Sequence, residues 1–225
     1  MTEERIDIGG LSAIAVGDAA KARATVVLLH GFQMEPADLS PFAHSIQVPA
    51  LFLFPRGPLA AQGRGRAWWQ IDVAQRDEAL RRGARDFAVQ HPPDLPQARA
   101  RLLSFLSAVR DLDARRPLVL GGFSQGGMLS CDTFLRSQLE VAALVLLSAS
   151  RLAFDEWPSH SARARGLPVL LSHGDRDPDL AFSAGEALRD FLVTAGSPVT
   201  WVPFSGGHEI PLVVWRALRK LLLSF

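Results

Sequence analysis

Cysteine is almost missing from this chain: one residue, Cys131, stands among 225. A lone cysteine excludes an internal disulfide and a cluster of thiolate metal ligands. Lying on a predicted helix, it reads as a small buried apolar residue. Lysine is scarce as well, with only Lys21 and Lys220, so arginine carries nearly all the positive charge. Nor is there an excess of either sign. The formal net charge is +1, too small to attract nucleic acid or an anionic membrane through a global field. No apolar run reaches membrane-spanning length, and the opening "MTEERIDIGG" is polar and acidic, without the apolar centre of a signal peptide. These absences lead us to expect a cytoplasmic protein with no stable membrane insertion. What is present is material for a core: hydrophobic residues make up 48% and charged residues 21%. That composition and length suit one α/β domain over residues 1–225.

Read along the chain, "IDIGGLSAIAVG" predicts a short hairpin. "ATVVLLHG", "ALFLFP", "PLVLGGFS", "AALVLLSA", "LPVLLSHG" and "VTWVPF" are near-continuous apolar runs, as expected of strands buried on both faces. Between them, helices are predicted at about 36–46, 96–113, 125–138, 179–195 and 209–224. The 179–195 helix ends in "AGSP", where glycine and then proline stop it. Alternating strands and helices imply a mostly parallel sheet covered on both faces. Around 57–96 the periodicity fails, and a long irregular stretch inside a compact domain marks a functional segment.

The stretch "LVLGGFSQGGML" holds G-x-S-x-G between a predicted strand and a predicted helix. Small flanking residues let the strand and helix cross closely, which exposes the Ser124 hydroxyl at a sharp turn. The amide of Gln125 at the helix start can then face an oxyanion. Serine is a weak nucleophile at neutral pH, so a base and an orienting acid should follow. "VLLSHGDRDPD" offers Asp175 and Asp177 past one strand, and "WVPFSGGHEIP" offers His208 past the last strand. In a parallel sheet those strand ends share one edge. The residues alone divide almost evenly between the two aspartates: Asp177 before Pro178 reads equally as a helix N-cap, and Asp175 as a turn residue. His173 and His30, each ahead of a glycine at a strand end, read as structural. His44, His91 and His160 read as surface residues without partners.

"LLHGFQMEPADLSPF", "FPRGP", "RAWWQID", "GGFSQGGM", "SHGDRDPD" and "GGHEIP" together resemble, in order, the phospholipase/carboxylesterase family of α/β-hydrolases, which includes the acyl-protein thioesterases. The resemblance runs from about residue 25 to the end. It implies the α/β-hydrolase fold and a serine carboxylesterase with Ser124 as nucleophile, His208 as general base and Asp177 as the orienting carboxylate. It further implies an oxyanion hole from the backbone N–H groups of Phe32 and Gln125, with neither metal nor organic cofactor. Small-molecule esters come first as substrates, with lysophospholipids and acyl thioesters as alternatives, and a non-catalytic binding protein on the same scaffold as the competing class. Where relatives often carry a glycine, this chain reads "SASRL", and after "HGDRDPDLAFS" it lacks the frequent valine-proline pair.

For the substrate we expect contacts from Phe32, Trp68, Trp69, Phe87 and Leu180. The segment "QRDEALRRGARDFAVQHPP" reads as a small cap whose Leu80, Ala84 and Phe87 share one helical face. Arg81, Arg82 and Arg85 then point outward to water, or alternatively to an acidic head group.

Overall fold

A computed structural model describes residues 2–225. The predicted hairpin forms as β1 (Glu3–Ile8) and β2 (Leu11–Val16), an antiparallel pair. The apolar runs become β3 (Ala24–Leu29), β4 (Ala50–Pro55), β7 (Leu118–Phe123), β8 (Ala143–Leu147), β9 (Val169–Gly174) and β10 (Val199–Phe204). Between β4 and β7 lies the two-residue hairpin β5 (Leu59–Ala60) and β6 (Arg66–Ala67). The eight-stranded sheet has the order β1-β2-β4-β3-β7-β8-β9-β10; from β4 to β10 every neighbouring pair is parallel.

Among the described residues six α-helices complete the fold: α1 (Ser40–Ile46), α2 (Val73–Arg82), α3 (Leu95–Leu112), α4 (Gln125–Leu135), α5 (Phe182–Thr194) and α6 (Leu212–Leu222). The stretch predicted helical from 36 divides into a 3-10 turn, Pro36–Asp38, and α1. At the end of α5, Gly196 has φ +89°, and the amides of Gly196 and Ser197 return to the carbonyls of Val193 and Leu192. This is how "AGSP" stops the helix.

Strand periodicity sorts the core into two layers. Val27, Leu29, Leu118, Leu120, Leu144, Leu146 and Leu171 face α3, α4 and α5, meeting Leu102, Phe105, Leu129 and Leu188. Val26, Leu28, Val119, Val145 and Leu147 face the other way, toward Ala43 of α1 and Val214, Trp215 and Leu218 of α6. With both faces covered, central strands need no polar alternation, which is why they read as unbroken apolar runs. Cys131 on α4 is fully buried and unpaired, and burial pushes its thiol well up, so it packs as an apolar residue.

Candidate active site

β7 runs into α4 through Ser124 alone. Its φ of +54° and ψ of −118° lie where residues with a side chain rarely go. Such a conformation costs about 1–3 kcal/mol and survives only where the surroundings hold it. Here the Ser124 amide donates to the Leu147 carbonyl (2.8 Å), and the Met128 amide donates to the Ser124 carbonyl (3.0 Å). Every residue of α4 is buried. A Cβ on Gly122 would stand 2.6 Å from the Leu29 carbonyl oxygen and the Gly126 backbone, and one on Gly126 would press closer still on Leu29. The glycines therefore allow β3, β7 and α4 to cross at backbone contact, leaving the serine at the apex.

The two aspartates of "HGDRDPD" separate clearly. Asp177 Oδ2 accepts from His208 Nδ1 at 2.6 Å, while its Oδ1 accepts from the amides of Asp179 (2.8 Å) and Leu180 (2.9 Å). Its side chain is fully buried. It caps a turn and holds the histidine at once, and the N-cap alternative fails because α5 begins only at Phe182. Asp175 Oδ1 instead accepts from the Gly206 amide (3.1 Å), bracing the glycine loop that carries His208. The Phe123 ring packs on the His208 imidazole with centroids 4.6 Å apart. Among the described residues no hydrogen bond yet closes between Ser124 Oγ and His208, although both border one cavity. Such contacts commonly tighten only when substrate binds.

His30 and His173 are buried beside the site. The Gly57 amide donates to His30 Nε2 (2.9 Å), so its Nδ1 carries the proton and donates to the Gly31 carbonyl (2.7 Å). Burial pushes this imidazole down to about 4. His173 Nε2 lies 3.0 Å from the Leu180 carbonyl and donates to it, and burial lowers its pKa as well. Both are neutral struts at the ends of β3 and β9. His44 and His91, expected to lack partners, sit 3.0 Å from Glu3 and 2.9 Å from Asp155, whereas His160 is simply exposed.

A cavity of about 230 Å³ opens beside Ser124. Phe32, Gln125, Phe87 and Leu180 line it, together with Ile71, Phe123 and Met128. Gln125 is the first residue of α4, where backbone N–H groups lack intrahelical acceptors. Trp68 and Trp69 do not reach this cavity; each is 1% exposed. The reason is Gln125, whose side chain accepts from the Trp68 amide (2.9 Å) and donates to the Trp69 carbonyl (2.8 Å). The Trp68 indole in turn donates to the His30 carbonyl (3.0 Å). The tryptophans thus fasten the irregular segment to the start of α4 beside Ser124, and Trp69 only edges an adjoining groove.

The expected cap face needs correction. α2 ends at Arg82, and Gly83 (φ +128°) breaks the helical period, so Ala84 is exposed and only Phe87 is buried. The arginines also part company. Arg81 and Arg82 pair with Glu78 on the surface, whereas Arg85 turns inward and, with Arg76, pairs with Asp179. Beyond them, "SASR" has a role that sequence alone did not show. Ser150 Oγ accepts from the Phe87 amide (3.1 Å) and donates to Asp86 (2.9 Å), and Arg151 also donates to Asp86 (2.9 Å). The departure from the resembled pattern therefore anchors a wall of the cavity. The signal was unreadable locally because its partners lie more than sixty residues away.

Comparisons with known proteins agree with this architecture. The chain is 29% identical over 120 residues to acyl-protein thioesterase 1 of Neurospora crassa, a match covering 50% of this chain and 49% of that protein. The chain thus spans about half the length of that relative. To acyl-protein thioesterase 1 of Mycosarcoma maydis it is 29% identical over 195 residues, 76% of each chain. The crystal structure of esterase PE8 superposes with a TM-score of 0.80 at 25% identity, covering 95% of this chain and 98% of that one. The fold is that of the α/β-hydrolases. Among the described residues, no helix is long and apolar enough to cross a membrane. The phospholipase/carboxylesterase family model matches residues 12–223, and the chain belongs to that family.

Proposed function

We propose that the protein is a serine hydrolase that cleaves small carboxylic esters through an acyl-enzyme. The observation that carries this reading is the buried Asp177 carboxylate 2.6 Å from His208 Nδ1, with that imidazole facing the same cavity as the strained Ser124. Asp177 fixes the tautomer that leaves His208 Nε2 free to accept the Ser124 proton. Ser124 Oγ attacks the ester carbonyl, and the oxyanion rests on the amides of Phe32 and Gln125. The tetrahedral intermediate collapses, and the alcohol departs with the proton from His208. Water, deprotonated by the same imidazole, then attacks the acyl carbonyl; Ser124 regains its proton and the acid is released. Segment 57–96 acts as the cap, since Arg64, Ile71, Arg76, Arg85 and Phe87 close one side of the cavity.

The cavity volume argues for a short acyl group, because sites for drug-sized ligands are typically about 300–1,000 Å³. Thioester substrates form the second reading, favoured by the thioesterase names of the relatives. The test is kcat/KM for p-nitrophenyl esters from acetate to palmitate, with Ser124→Ala as control. We expect a maximum at short chains and a dead variant. A maximum at long chains would transfer preference to lipid or acyl-thioester substrates, and no turnover at any length would leave a binding protein on a hydrolase scaffold.

A further inference from the structure

The cavity beside Ser124 has an apolar lining of Phe32, Met34, Ile71, Phe87, Phe123, Met128 and Leu180, but it is also lined by arginines. Arg64, Arg76 and Arg85 line it with one carboxylate, Asp179, and Arg76 also lies 3.7 Å from the exposed Asp77, so three formal positive charges meet two negative. Asp179 accepts from Arg76 (2.5 Å) and from Arg85, and its side chain is 13% exposed. Burial alone would raise this carboxyl, but the two guanidinium hydrogen bonds outweigh it and hold it below the usual carboxylate range. It is thus ionised, and it orders both arginines without neutralising the group. Arg85 also rests over the Phe87 ring, 4.7 Å from its centroid, and its Nε is buried with no partner among the described residues. A buried guanidinium N–H left unmade is a cost that a ligand acceptor would remove. Arg64, which lines the same cavity, is exposed. The chain as a whole is nearly neutral, so this local excess of arginine is not a by-product of overall charge.

We propose that the arginines lining the cavity, Arg64, Arg76 and Arg85, select esters bearing an anionic group, a carboxylate or a phosphate, held by guanidinium N–H donors while Ser124 meets the ester carbonyl. Planar guanidinium forks suit both oxyanions. The inference rests on the serine-esterase reading and narrows its substrate class. Asp179 is the positioning residue: it keeps Arg76 and Arg85 on the cavity wall and off one another.

Two matched pairs of substrates test it. 4-Nitrophenyl hydrogen glutarate against 4-nitrophenyl pentanoate places a carboxylate on the acyl side. 1-Butanoylglycerol 3-phosphate against 1-butanoylglycerol places a phosphate on the alcohol side. At low ionic strength one anionic member should exceed its neutral partner in kcat/KM by about tenfold or more, the scale of a hydrogen bond to a charged group. The gain should lie mainly in KM, shrink with added salt, and collapse toward unity in Arg85→Gln. Arg64→Gln, a surface change that leaves the packed wall in place, should remove part of it. The pair that shows the preference identifies carboxylate or phosphate as the ligand. Ratios near unity in both pairs, with the neutral esters still hydrolysed, overturn the anion selection and leave the esterase reading standing. No turnover of any of the four overturns the esterase reading and this inference with it.

Discussion

Residues 118–135 and residues 57–96 border the same cavity but are held in place by opposite means. The first region is strand, turn and helix with every residue of α4 buried, and its strained serine is fixed by backbone contacts and apolar packing. The second contributes α2, which has no buried residue, and is tied down by ion pairs, by the Gln125 clasp, and by Ser150 and Arg151. Packing tolerates almost no change of volume, whereas charged tethers respond to salt and to single substitutions by small amounts. The proposed function assigns chemistry to the rigid region, and the proposed anion selection belongs to the tethered one.

The largest effect should come from the rigid side. Ser124→Ala should lower kcat by about 10⁴-fold or more while leaving the unfolding midpoint close to that of the parent. A retained rate, measured on a short p-nitrophenyl ester, would sink the nucleophile assignment. Asp177→Asn comes next, with a loss of about 10⁴-fold expected from the wrong imidazole tautomer. Asp175→Asn loosens only the Gly206 amide and should cost far less; the opposite ranking in steady-state kinetics would exchange the roles of the two aspartates. Gly126→Ala should unfold the protein or destabilise it by about 3 kcal/mol, since backbone atoms of Leu29 cannot yield to a methyl group. Chemical denaturation reads this directly, and a neutral result would mean that β3 and α4 can part.

Acid sharpens the contrast further. His30 is neutral when folded, with a pKa near 4 against 6.5 for an unconstrained imidazole. The unfolded state therefore binds the extra proton first, so this group's stabilisation is complete above about pH 6.5 and is lost as pH falls toward 4. A shift of that size corresponds to about 3 kcal/mol. His30→Asn should flatten that part of the stability–pH curve, and an unchanged slope between pH 6.5 and 4.5 would refute the assignment. The smallest effect belongs to the surface pairs within α2: Arg81→Ala removes an exposed pair with Glu78 and should change stability by under about 0.5 kcal/mol. A larger change in the thermal midpoint would mean that α2 is held more by its surface charges than its exposure implies.

The strands, their order along the chain, and the turn at Ser124 were legible because each depends on residues adjacent in sequence: apolar runs for buried strands, small residues where a strand and a helix cross. Asp177 and His208 were legible as types at strand ends, yet choosing Asp177 over Asp175 from the residues alone was not possible. Both follow the same strand, and only the course of the glycine loop decides which carboxylate meets His208 and which meets the Gly206 amide. The tertiary structure alone decided the wall of the cavity. Trp68 and Trp69 look like ligand contacts until Gln125 is seen to clasp their backbone, and Arg85 looks like Arg82 until Asp179, ninety-four positions later, draws it inward. Local sequence determines which backbone conformations are cheap; partners distant along the chain determine where a long polar side chain points, and that information exists only once the sheet has brought them together.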